Sequence, residues 1–144
     1  MRTKNDGNDR LIHQGELATG MTWSSWSPLR GDQIRYVVPE EYGIYKLRQA
    51  GGKAVPRFVG ESEILYIGRS GISRTRTLKR RLLELVGGQH VAWPRVNRVQ
   101  EGLKISLEYS CAVTQDPALS EKLLLMLYEK EHYELPPLNH IGGL

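Results

Sequence analysis

The chain has a single cysteine, Cys111, among its 144 residues. One cysteine excludes an internal disulfide framework and a Cys-rich zinc site. Its apolar neighbours make the thiol a small core residue rather than a nucleophile. Long apolar runs are also missing. The densest, "LLLML" at 123–127, is far short of the ~20 residues that a membrane span needs. The opening "MRTKNDGNDR" has none of the apolar stretch of a secretion signal. No internal repeat, low-complexity tract, zinc-finger spacing or helix-turn-helix signature occurs. These absences predict a cytoplasmic protein with no membrane association. With 40% hydrophobic and 25% charged residues, the chain suits one globular domain with a real core.

What is present is unevenly spread. Residues 66–104 hold 9 Lys and Arg against 2 acidic residues, a balance of +7, whereas residues 1–65 carry +1 and residues 105–144 carry −4. The basic charge gathers in "RSGISRTRTLKRR" at 69–81 and continues to Arg95, Arg98 and Lys104. Such a cluster suits a phosphate backbone, and equally a solvated helix face.

Residues 1–20 are polar and glycine-bearing and predict a mobile arm. With the stretch carrying Trp23, Trp26 and Tyr36 they form an N-terminal arm and packing segment over 1–36, ahead of a domain at 37–144. The tryptophans are expected to pack over one edge of the core. "YGIYKLR" at 42–48 alternates with period two and predicts the first strand. A connection rich in glycine and proline follows, with extra strand at 57–59, then a second strand at 64–67. The two strands form an antiparallel hairpin with an enlarged loop. "TLKRRLLELV" puts Leu78, Leu82, Leu85 and Val86 on one helical stripe, ended by Gly87 and Gly88. "QHVAWPRVNRVQEG" at 89–102 predicts loop or irregular structure, and "LKISLEYSCAV" at 103–113 a strand along its whole length. Asp116 as N-cap and Pro117 in the first turn open a helix to about residue 133, where "PPLN" stops it. The order predicts a compact α/β (α+β) domain, a small three-stranded antiparallel or mixed sheet flanked by helices.

Glu121 is out of place on that last helix. At about 100° per residue it shares a side with Leu124, Leu125 and Tyr128. A carboxylate buried on a leucine-rich face is paired, protonated or bound to metal. The helix alone leaves a plain ion pair and a functional ligand both open.

"GIY" at 43–45, "YIG" at 66–68, an arginine on the next helix, a glutamate on a later helix and a closing asparagine follow in an order that resembles the GIY-YIG nuclease superfamily. The resemblance spans residues 42–139, about two-thirds of the chain. It implies the GIY-YIG nuclease fold and a stand-alone, metal-dependent endonuclease. The implied catalytic set is Tyr45, Tyr66, Arg81, Glu121 and Asn139. Arg81 follows Leu78 in an "L-x-x-R" pattern, with Arg80 as an alternative. Glu121, followed by Leu124 and Leu125, fits the family's metal-binding "E-x-x-L-I" pattern, whereas Glu129 and Glu131 lack that context. Asn139 closes "P-x-x-N" after Pro136. Arg69, the basic residue behind "YIG", would bind substrate together with Arg74, Arg76, Lys79 and Arg80. Some relatives carry a His or Tyr one turn after the arginine. Here that position is Leu85, and His90 is expected to be a solvent-facing loop histidine able to reach the substrate.

The implied chemistry is phosphodiester hydrolysis in nucleic acid, most readily DNA. One Mg²⁺ or Mn²⁺ on Glu121 would act as Lewis acid, and Arg81 would clamp the phosphate through its forked donors. A phenol of pKa about 10 is a poor base at neutral pH, so Arg69 and the metal are expected to lower it. Which tyrosine takes the water's proton stays open, and Asn139 would either orient a ligand or tie down the C-terminal loop. The alternative is a non-catalytic nucleic-acid-binding module of the same fold.

Overall fold

A computed structural model describes residues 20–139; the arm expected at 1–20 lies, except for Gly20, outside the described residues. The elements in chain order are β1 (Ser27–Pro28), α1 (Gly31–Val37), β2 (Gly43–Gln49), β3 (Val55–Pro56), β4 (Glu61–Ser62), β5 (Ile64–Arg69), α2 (Leu78–Gly87), α3 (Trp93–Leu103), β6 (Leu107–Val113) and α4 (Pro117–His132). The result is a mixed α and β fold around an antiparallel sheet of order β1-β6-β2-β5. The three expected strands are there, and β1 makes a fourth by pairing Ser27 with Tyr109 and Pro28 with Glu108. Two residues, one of them proline, were too few to show in the sequence pattern. No described helix is long and apolar enough to cross a membrane.

The sheet separates two layers of core. On one side Tyr45, Leu47, Leu65 and Tyr66 pack with Ile34 of α1, with Leu78, Leu82 and Leu85 of α2, and with Val96 of α3. On the other, Ile44, Ile64 and Ile67 meet Leu124 and Tyr128 of α4, with Trp23 and Trp26 packed against them. The tryptophans therefore cover an edge of the core, and Lys46 Nζ lies 4.3 Å from the centre of the Trp23 ring. Cys111 is buried.

Several local expectations change. The β2–β5 hairpin forms, but its loop pairs at β3 and β4, so residues 57–59 belong to the turn, closed by Arg57 N–H on the Gly60 carbonyl at 2.9 Å. Residues 93–103 form a helix where loop was expected. Ala92 offers its N-terminus no side-chain cap, Val96 is its one buried side chain, and a proline in the first turn is tolerated though it looks like a breaker. That helix also shortens the next strand. Leu103 ends α3 and Lys104 turns the chain with φ of 56°, so β6 starts only at Leu107. α4 begins as expected, with Asp116 accepting the Leu119 N–H at 3.1 Å, and ends at His132.

The hairpin register prepares a site. Tyr45 lies opposite Gly68, and Leu47 opposite Tyr66, before the register slips between Leu47 and Arg48. This bulge brings Leu65 and Tyr66 into the same core layer although they are sequence neighbours. Tyr45 and Tyr66 thus share one face, with ring centres 6.0 Å apart.

Candidate active site

Both glycines of the paired tripeptides are required by close approach. A Cβ on Gly68 would stand 2.6 Å from Cζ and Oη of Tyr45 and 2.7 Å from Cε2 of Tyr66. The Tyr45 ring lies over that bare backbone, which is how two phenols fit side by side. A Cβ on Gly43 would strike the Ala112 carbonyl on β6 and Leu78 Cδ1 at 2.6 Å.

Tyr66, Arg69, Arg81, His90, Glu121 and Asn139 line one cavity of about 500 Å³, joined there by Arg76 and Arg95. Arg81, not Arg80, is the arginine of the site. Arg80 is exposed and turns to Glu40 at 3.7 Å. Two further residues expected to bind substrate stand apart: Lys79 does not line this cavity, and Arg74 borders a different hollow with Glu40 and Tyr42. Glu129 is exposed and neither it nor Glu131 reaches the cavity, leaving Glu121 as its carboxylate.

His90 is the largest departure from expectation. It is 3% exposed, not solvent-facing, and stands at the centre of a network. Its Nε2 is 2.8 Å from Tyr45 Oη and 3.0 Å from Arg81 Nη2, and its Nδ1 accepts the Ala92 N–H at 2.9 Å. A neutral imidazole has one acceptor nitrogen. Both ring nitrogens therefore face a group that can only donate, the Ala92 N–H at Nδ1 and the Arg81 guanidinium at Nε2, and a neutral ring satisfies one of them at a time. Burial, then Arg81 and Arg95, lower the pKa of His90 to about 4. The sequence signal for this role was hidden, since the position one turn after Arg81 is Leu85, a fully buried core residue. The histidine arrives instead from the turn before the unexpected helix α3.

The two phenols differ. Tyr45 is wholly buried, and burial raises its pKa well above the ordinary value. Tyr66 is 7% exposed and faces the cavity. Burial and then the Glu121 charge raise its pKa, while a hydrogen bond from Tyr45 and the charges of Arg95 and Arg81 act the other way. The expected lowering by Arg69 is therefore absent. Arg69 turns to Glu121 instead, Nε to Oε1 at 3.5 Å.

That ion pair is long beside the ~2.8 Å of a charge-assisted hydrogen bond. Burial raises the Glu121 carboxyl above the usual range, and Arg69 offsets this only in part. No group of three or more His, Cys, Asp or Glu suited to a metal occurs among the described residues. Such a donor set fits a hard cation held by one carboxylate, water and substrate oxygens, and not an all-protein cage.

Asn139 does not aim at a ligand. Its Oδ1 accepts the Ile67 N–H at 3.0 Å and its Nδ2 donates to the Ile67 carbonyl at 2.9 Å, while Leu138 N–H reaches the Leu65 carbonyl at 2.9 Å. β5 is an edge strand, and this segment covers its open backbone groups. Arg95 was missed as a site residue because α3 was missed. Its Nε donates to the Leu138 carbonyl at 2.8 Å, which fixes its guanidinium at the cavity wall. Comparison of the chain with family models, with curated proteins and with solved structures finds no match in any of the three.

Proposed function

We propose that this chain is a metal-dependent endonuclease of the GIY-YIG type, hydrolysing phosphodiester bonds in DNA in a cytoplasmic setting. The observation that carries the reading is the convergence of Tyr66, Arg81 and Glu121, from β5, α2 and α4, on one cavity lined by four arginines.

Arg81 is held by Glu84, Nη1 to Oε1 at 2.7 Å, and its Nη2 stands 3.0 Å from His90 Nε2, so its remaining N–H donors are set to bind a phosphate without reorganising. Tyr66 is the phenol that can touch a water in the cavity. Tyr45, a donor to Tyr66, steadies negative charge on it. Mg²⁺ or Mn²⁺ held by Glu121 would supply Lewis acidity to the phosphate oxygens. Arg69 would keep the Glu121 carboxylate ionised and oriented. Asn139 positions β5, and hence Tyr66, from outside the reaction.

The test is cleavage of plasmid and single-stranded DNA by the pure protein with Mg²⁺ or Mn²⁺ against EDTA. Cleavage that Glu121→Ala abolishes is expected; none by the wild type, or unchanged cleavage by the variant, overturns the reading. The Arg69–Glu121 pair favours a second reading, a non-catalytic nucleic-acid-binding module, which predicts salt-sensitive binding without metal and no cutting.

A further inference from the structure

The charges lining the cavity are not equally committed. Arg69 is matched by Glu121 and Arg81 by Glu84. Among the described residues neither Arg76 nor Arg95 has a carboxylate partner. Four arginines face one glutamate there, far more positive charge than a single phosphodiester neutralises.

Both uncommitted arginines are nonetheless held in place. Arg95 is half-buried, and its Nε–H bond to the Leu138 carbonyl leaves both terminal nitrogens of the fork free. Arg76 lies against the bare backbone of Gly71, where a Cβ would meet its Cβ and Cδ at 2.7 Å. Its carbonyl accepts the Gly71 N–H at 2.8 Å, and its N–H donates to Ser73 at 3.0 Å. Arg76 is exposed, but Arg95 is a half-buried cation without a counter-charge, which is costly unless something outside the chain supplies one. The cavity, about 500 Å³, holds far more than one phosphate, and a nucleic-acid strand carries a phosphate about every 3.4 Å along its axis.

We propose that Arg95 and Arg76 form a second phosphate subsite, taking the phosphodiester next to the one held at Arg81, so that the ligand is a polynucleotide strand and not an isolated phosphate ester. The subsite rests on the nuclease reading for its partner at Arg81, but its test needs no catalysis. Binding of inorganic phosphate, thymidine 5′-monophosphate and thymidine 3′,5′-bisphosphate is measured by calorimetry in EDTA for the wild type, Arg95→Gln, Arg76→Gln and an Arg98→Gln control.

The wild type is expected to prefer the bisphosphate over the monophosphate by about tenfold, the order that one charge-assisted contact gives. Arg95→Gln should reduce that preference to about twofold, Arg76→Gln should reduce it in part, and Arg98→Gln should leave it intact. Arg76 sits on an exposed loop, so its variant stays informative if Arg95→Gln fails to fold. Equal binding of mono- and bisphosphate by the wild type overturns the proposal. So does a loss in Arg95→Gln that is the same for both nucleotides, or inorganic phosphate binding as tightly as the bisphosphate. A preference that depends on Arg95 in a protein that cuts no DNA keeps the subsite and removes the nuclease.

Discussion

Acid should weaken this fold through His90. An unfolded histidine titrates near 6.5, and the folded His90 near 4. Between those values the unfolded chain binds the extra proton, so stability rises with pH across the window. Above pH 6.5 the contribution is complete; it drains away as pH falls toward 4. At about 1.4 kcal/mol per unit the full effect is roughly 3 kcal/mol, a large part of an ordinary domain's 5–15. The structural cause is specific. A second ring proton would leave no acceptor for the Ala92 N–H or for Arg81, and would place a cation among Arg81, Arg95 and a buried phenol.

The assay is urea unfolding at intervals from pH 4 to 7.5 for wild type and His90→Asn. Asparagine does not titrate, and its Oδ1 keeps an acceptor near Ala92. The stability difference between the two should shrink by roughly 3 kcal/mol from pH 7 to pH 4, with a steepest slope near one proton. Parallel pH profiles would refute the reasoning, because every other titrating group is common to both proteins.

Other outcomes follow from the same geometry. Gly68→Ala should cost about 1–3 kcal/mol of stability and abolish cleavage, since its methyl group needs the space of both phenols; chemical denaturation and a plasmid assay measure the two. Asn139→Ala should cost about 1–3 kcal/mol by uncovering the Ile67 backbone, read as a lower Tm, with DNA binding in EDTA unchanged. Glu121→Gln should cut cleavage about a hundredfold or more while binding DNA in EDTA at least as tightly as wild type. Tyr66→Phe should lose cleavage without loss of Tm, whereas Tyr45→Phe should lower Tm too, by removing the buried hydroxyl that bonds His90 Nε2.

Much of this was legible from residue types at fixed spacing. Period-two alternation marked β2, a short apolar run ended by glycine marked β5, Asp116 and Pro117 opened α4, and Glu121 was conspicuous among leucines. The registered pair "GIY" and "YIG" has a steric content that the sequence carries openly: an antiparallel hairpin sets Tyr45 against a glycine. α3 was not legible, because its N-terminus has no side-chain cap, its proline looks like a break, and only Val96 buries fully. Missing α3 hid Arg95 as well and left His90, a loop residue as expected, looking solvent-facing. The direction of the tyrosine shifts was missed for another reason. Arg69 follows Tyr66 closely in sequence, but a strand sends its side chain elsewhere, toward Glu121.

Burial and the hydrogen bond between them separate the two tyrosines where composition and spacing do not. The Tyr45 hydroxyl stands between His90 Nε2 and Tyr66, and its hydrogen bond to Tyr66 works against the rise at Tyr66 while adding to the rise at Tyr45. Negative charge is therefore less opposed on Tyr66 than on Tyr45. Burial raises both phenols, and more strongly at Tyr45, so it works in the same sense. In the proposed hydrolysis, the base that must meet water from the cavity is therefore Tyr66, with Tyr45 as its donor.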